Sequence, residues 1–230
     1  MTVGTPRSRR TQSSRRRKVQ QRALDTRDSV LNAALREFAA RGLGGARVDS
    51  IARSAGVNKQ ALYYHYGNKE ALYRAALTHA YGQFDLDHAQ LSAPDSPPVE
   101  AMRQVVAAIF DHVHRTEGSI AVISEENRHR GAHLTPDVRK RMRASVSPVI
   151  EAIRVVLERG QRQGVFSRDI ELDRLYLTII ALSMFYFTNS FTLSAILGRD
   201  LSTRARVAAW KEHVVSFVLA ALRPPAARRR

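Results

Sequence analysis

Around Gly56-Val57 two short segments of helical apolar period meet with almost no loop between them. Val48, Ile51, Ala52 and Ala55 mark one face of the first, predicted over 48–55. Asn58 can cap the second, which runs to about His65. The turn between them needs a residue that tolerates positive φ, and Gly56 supplies it. Two short helices around so tight a turn have the shape of a helix-turn-helix.

The second of these helices lies in VNKQALYYHYGNK, residues 57–69, which holds three tyrosines, a histidine and two lysines. On it Leu62 points inward with Tyr66 one turn on, Gln60 and Tyr64 fall on the opposite side, and Lys59 and Tyr63 lie between. Lysine reaches guanine acceptors and glutamine pairs with adenine through two hydrogen bonds. Tyrosine hydroxyls bind phosphate oxygens and fix register. Lys69 opens the next helix, where free amides and the positive dipole end also favour a phosphate. Spacing alone also fits an ordinary exposed helix face.

The wording of the run VDSIARSAGVNKQALYYHYGNKEAL, Val48 to Leu72, closely resembles the DNA-binding domain of the TetR family of bacterial regulators. Ile51-Ala52, Ala55-Gly56-Val57, Leu62-Tyr63, Tyr66 and Lys69-Glu70 stand where that pattern has its key residues. Phe38 and Gly42 of the preceding helix fit it too. Two positions depart from it. Arg47 replaces the usual capping threonine, and Tyr66 replaces the commoner phenylalanine, so its hydroxyl needs water or a partner. The candidate DNA-contacting set is Arg47, Lys59, Gln60, Tyr63, Tyr64, His65 and Lys69. The resemblance implies an all-α chain, with an N-terminal three-helix DNA-binding domain on a larger helical ligand-binding and dimerisation domain.

The chain is helical in pattern throughout, and no run of period-two alternation stands out. A first helix is predicted from Asp25 or Thr26 to Gly42, with Leu31, Ala34, Leu35 and Phe38 as its stripe, and a fourth from Asn68 to about His88. A linker-like break, SAPDSPP, covers 92–98. Further helices are predicted near 98–116, 118–130, 136–163, 171–197 and 202–222, with a kink at Pro148. The resulting division is a basic arm, 1–24, a DNA-binding domain, 25–77, a larger helical domain, 78–222, and a basic tail, 223–230.

Charge singles out the two ends. The net charge is +16. Residues 1–22 contain eight Arg and Lys and no acid, and residues 223–230 contain four Arg and no acid. The excess therefore suits a polyanion at the ends rather than a uniformly basic globule. The arm is too basic and too poor in apolar groups to fold alone. It reads either as a solvated tail or as an arm that follows phosphates or enters the minor groove. The sequence has no cysteine, which excludes disulfides and thiolate chemistry. Leu175–Gly198 carries no charge and is long enough to span a bilayer. Its many hydroxyl and amide groups favour a buried helix, so no membrane partner is expected.

The larger domain is less specific. Leu175, Ile179, Leu182 and Tyr186 line up on one helix, and Val207, Trp210, Val214, Phe217 and Val218 on another. Such faces suit an inter-subunit bundle or the monomer core. A homodimer would place two recognition helices on two half-sites. A ligand pocket among Ile109, Phe110, His114, Val122, Ile123, Met184 and Phe187 stands beside the reading that these are ordinary core. Glu125, His129 and His133 recur every four residues, but Gly131 interrupts them, and they read as surface or pocket-wall groups rather than a metal site. No metal and no cofactor is expected, and no nucleophile–base constellation supports an enzyme. The expectation is a cytoplasmic regulator, a repressor released from a double-stranded operator by a small-molecule effector. The other reading is a DNA-organising or scaffold protein of the same fold without an inducer.

Overall fold

The structure, a computed structural model, describes residues 8–82 and 96–225, and every regular element among them is an α-helix. The chain forms two compact units, Met1–His79 and Ala80–Arg230.

The first unit contains α1 (Ser8–Gly45), α2 (Val48–Ala55), α3 (Lys59–Tyr66) and most of α4 (Lys69–Gly82). Its core takes Val30, Leu31, Ala34, Leu35 and Phe38 from α1, Ile51 and Ala52 from α2, Leu62 from α3, and Leu72, Tyr73, Ala76 and Leu77 from α4. Phe38 and Tyr73 meet edge to face with ring centroids 5.1 Å apart. The expected break at Gly42 is present, with φ 63° there and a last turn running on to Gly45.

The start of α1 corrects the sequence expectation. Residues 8–24, expected as a disordered arm, continue the helix instead. Arg, Lys, Gln, Ala and Leu dominate this stretch and are good helix formers. Each residue added to a helix already nucleated by the packed segment costs only propagation. Asp25 and Thr26, expected as caps, lie mid-helix. Gln21 Nε2 donates to Asp25 at 2.9 Å, and Thr26 Oγ1 donates to the Arg22 carbonyl at 2.8 Å. Residues 1–7 of the expected arm, 83–88 of the expected fourth helix, 92–95 of the break and 226–230 of the tail lie outside the described residues.

The second unit contains α5 (Pro98–Arg115), α6 (Glu117–Arg128), α7 (Pro136–Arg162), α8 (Leu172–Thr188), α9 (Ser190–Leu197) and α10 (Arg204–Ala221). Its core is built from α5, α7, α8 and α10 around Ile109, Phe110, Ile153, Val156, Ile179, Val214 and Val218. Phe166 lies directly over Gly160 of α7, where an added Cβ would stand 2.0 Å from the ring. Pro136 at the start of α7 suits the first turn, and the helix continues through Pro148.

The single helix expected over 171–197 is two, α8 and α9, bent by 72° at Asn189. No Pro or Gly breaks it. Asn189 Nδ2 donates to the Phe185 carbonyl at 3.0 Å, and Thr188 Oγ1 donates to the Met184 carbonyl at 3.0 Å. These side chains satisfy carbonyls that end the helix, an alternative that Asn and Thr offer the backbone. Tyr186 Oη donates to the Leu201 carbonyl at 2.7 Å and ties down the following loop. Among the described residues no single helix is long and apolar enough to cross a membrane, though the bent pair together has the composition. Leu175, Ile179, Tyr186, Val214 and Val218, on faces that suited either an inter-subunit bundle or the monomer core, are buried inside the unit itself.

Candidate nucleic-acid interface

The α2–α3 turn explains how the candidate face is held. Gly56 is left-handed at φ 69°, and the Val57 N–H donates to the Ala52 carbonyl at 3.0 Å. Asn58 is in extended conformation, and its Oδ1 accepts the Ala61 N–H at 2.6 Å, so α3 starts on its expected cap. Leu62 is buried, and Gly67 with φ 82° ends the helix. The inner face is thus fixed, and Lys59, Gln60, Tyr63, Tyr64 and His65 are all exposed. Tyr64 is 87% exposed, an unusual state for an aromatic ring, and sits edge-on to His65 at 5.3 Å.

The cations on this face are not equivalent. Lys59 Nζ donates to Asp49 at 3.0 Å across the turn, which raises its pKa, and it lies 6.0 Å from the Tyr63 ring centre. Both partners are exposed, so the pair is weak and free to exchange for a phosphate or a base. Lys69 is half-buried and donates to the carbonyls of Gly44 and Ala46, at 3.1 and 3.3 Å. It closes the loop that ends α1 instead of standing free beside the α4 start. Arg47 precedes α2 with no side-chain cap, as its replacement of threonine suggested. Its own N–H donates to Glu37 at 3.0 Å, and its side chain is exposed.

In the second unit the structure brings together part of the expected pocket. Phe187 lies 5.3 Å from Phe110 and stacks on His114 at 4.8 Å. Ile109, Phe110, Val122 and Ile123 are buried, Met184 is half-buried and His114 is exposed. Sequence reasoning missed the buried polar groups nearby in the chain. Glu126 is 3% exposed and accepts from the His133 N–H at 2.7 Å and from its Nδ1 at 3.0 Å. So His133 pairs with Glu126, while His129 bonds the Glu125 carbonyl one turn back at 2.9 Å. Burial, with Tyr176 and Glu126 close by, pushes the Tyr81 hydroxyl up to about 12. Burial, helped by Arg115, pushes His112 down to about 4. A glutamate two turns into a mixed helix carries no periodic signal that separates buried from exposed, so no pattern in the sequence marked Glu126.

Known proteins resemble the chain over both units. The family described as bacterial regulatory proteins, tetR family, matches residues 30–76, and the tetracyclin repressor-like C-terminal domain matches 98–218. The HTH-type transcriptional repressor NicS of Pseudomonas putida is 34% identical over 203 residues, covering 88% of this chain and 95% of that protein. The TetR family regulator PfmR from Thermus thermophilus shares the fold with a TM-score of 0.63 at 22% identity, over 87% of this chain and 97% of that one. Proteins of this family bind DNA operators and small-molecule ligands and are usually dimeric. An exposed polar helix after a tight turn on a sealed core, followed by a helical second unit that matches the family's own C-terminal domain, leaves one assignment: the chain belongs to the TetR family of DNA-binding transcriptional regulators.

Proposed function

We propose that this protein is a cytoplasmic repressor that holds its operator as a homodimer and is released when a small molecule binds the second unit. The observation that carries the reading is the outer face of α3. Gln60, Tyr63, Tyr64 and His65 are exposed on a helix whose inner face is fixed by Leu62 and Asn58. Gln60 and Lys59 read base edges, while Tyr63, Tyr64, His65 and Arg47 contact backbone or neighbouring bases. Lys69 supports the site by holding the 44–46 loop.

Dimerisation uses the apolar side chains that the second unit leaves outside. Leu177, Phe185 and Phe217 are each at least half exposed on α8 and α10, and exposed apolar side chains of this size suit a surface that a second copy covers. The effector site draws on Phe110, Phe187 and His114, with Glu126 and Tyr81 as polar groups that can fix its orientation. Effector must bind the DNA-incompetent state more tightly, or it shifts nothing.

Selection of operator sequences from a random duplex pool, followed by the same selection with Gln60→Ala, tests the reading. The variant should lose discrimination at one or two base pairs by roughly 1–3 kcal/mol each. An unchanged selected sequence removes Gln60 from base readout. Recovery of no preferred sequence by the wild type would favour a DNA-organising role.

A further inference from the structure

Helix α1 begins well before residue 25, and that continuation builds one wall of a groove on the first unit. Ala23, Arg27 and Val30 recur at helical spacing and so share a side of α1. The other wall is α3, with Val57 from the turn before it. The groove has a volume of about 570 Å³, within the usual size of small-molecule sites, roughly 300–1,000 Å³. Buried Val30 and Leu62 form its floor with half-buried Val57 and Ala61, and exposed Arg22, Arg27 and His65 form its rim. Among the described residues no carboxylate lines it. Asp25 and Asp28 belong to α1 but not to this lining, and Asp25 accepts from Gln21 Nε2 at 2.9 Å.

Charge and shape together select the occupant. The rim carries two guanidiniums, whose forked N–H donors match a carboxylate through paired hydrogen bonds. Thr26 adds no competing donor, since its Oγ1 is turned to the Arg22 carbonyl at 2.8 Å. The floor asks for the opposite chemistry. Val57 and Ala61 are left partly in water by the protein itself, and an alkyl chain laid over them removes that apolar surface from solvent. A nucleic-acid backbone would meet the rim but not the floor, because phosphates and sugars offer no apolar surface to it. From Arg22 to Val30 the wall rises about 12 Å along α1, which suits an extended medium-chain acid.

We propose that the α1–α3 groove is a binding site for an amphipathic carboxylate, with the headgroup on Arg22 and Arg27 and the alkyl chain over Val57, Ala61 and Leu62. It is separate from the effector site of the second unit. His65 lines the groove and also belongs to the exposed face that presents Gln60 and Tyr64. Ligand and duplex therefore compete directly, with no conformational change between two distant sites. The competition rests on the reading of α3 as the DNA-contacting helix, whereas the site itself does not.

The test titrates the full-length protein with octanoate, decanoate and decanol by calorimetry, below the concentrations at which they form micelles. Affinity should rise from octanoate to decanoate by up to about fourfold per added methylene, as apolar burial predicts. Decanoate should bind several-fold tighter than decanol, and the Arg22→Gln, Arg27→Gln double variant should close that gap. Ala23→Trp puts a large ring into the groove from an exposed position on α1. It should abolish decanoate binding with an unchanged thermal unfolding profile. Decanoate affinity that neither change alters overturns the site, and so does binding that is lost with Phe187→Ala in the second unit and kept in Ala23→Trp. A duplex titrated at rising decanoate should show an apparent Kd that climbs in proportion to ligand without a plateau. A plateau means that both bind at once and overturns the direct competition. A wild type that binds no duplex brings down the reading of α3 instead, and the calorimetry, which needs no DNA, still decides the groove.

Discussion

In the first unit the exposed side chains of α3 are polar or amphipathic and stand over a closed apolar floor. In the second, Leu177, Phe185, Phe191, Ile196 and Phe217 face outward while His112, Ser119 and Glu126 are buried. A surface that meets a polyanion needs donors in water and a rigid base, so its functional groups can change while the core stays intact. A unit proposed to meet its own copy and a small organic molecule needs apolar groups outside and polar groups inside. Inside that unit, function and folding share the same residues. Substitutions should therefore separate binding from stability on α3 and on the outward apolar side chains of the second unit, and confound them at its buried polar groups.

The strongest test of that contrast is the outward apolar face of α8 and α10. Phe185→Glu with Phe217→Glu places charges where a partner subunit is proposed to pack, at positions 56% and 50% exposed in the single chain. The monomer should fold, because neither ring is part of its core. Operator affinity should fall by about 10²–10⁴-fold, the usual gain from linking two binding modules. Light scattering and operator titration check both halves. A variant that stays dimeric with full affinity would move the interface elsewhere. Tyr186 and Val214, whose faces suited an interface or the core in sequence, would instead report on the core.

A smaller effect is expected from the buried polar groups. His112 has its pKa lowered from 6.5 to about 4, chiefly by burial. A group with a depressed folded pKa adds stability that is present above its unfolded pKa and lost as pH falls toward the folded one. Between pH 6.5 and 4 the unfolded chain takes up a proton that the folded chain refuses. Stability of the wild type should fall across that window, with an upper bound of about 3 kcal/mol from this residue. His112→Gln should flatten the profile there, as read by urea unfolding at a series of pH values. Equal pH profiles for the two proteins would mean that water reaches the ring freely.

The same contrast explains what the sequence revealed. The α2–α3 turn of the first unit was legible to the residue: Gly56, the Asn58 cap, the buried Leu62 and the exposed Gln60 and Tyr64 follow from spacing in short helices with one wet face. Its error was at α1, where charge density suggested disorder and helix propensity with a packed nucleus prevailed. The partners of Lys69 were not legible, because both lie more than twenty residues away. In the second unit the helices were legible but not their breaks or faces. Asn189 ends α8 through side-chain hydrogen bonds that no Pro or Gly announces. An α8 that is apolar nearly all round does not say which face meets its own core, so Ile179 and Phe185 look alike in sequence yet are 0% and 56% exposed.

The smallest effect concerns the exposed pair at the α2–α3 turn. Lys59 donates to Asp49 at 3.0 Å, and both side chains are about half exposed or more. Such pairs contribute little to stability, since water screens them and ordering two side chains offsets the attraction. Asp49→Asn should therefore leave unfolding nearly unchanged. It should still alter DNA binding, in the tightening direction. The free protein holds Lys59 against a carboxylate that must be released before the ammonium can reach a phosphate or a guanine. Removing the carboxylate also removes a negative charge from a face that meets a polyanion. Affinity for duplexes of any sequence should rise a few-fold at low salt, and the gain should shrink as salt screens the lost repulsion. Weaker binding by Asp49→Asn would mean that Asp49 orients Lys59 toward its DNA contact, and that the pair is preorganised for binding instead of competing with it.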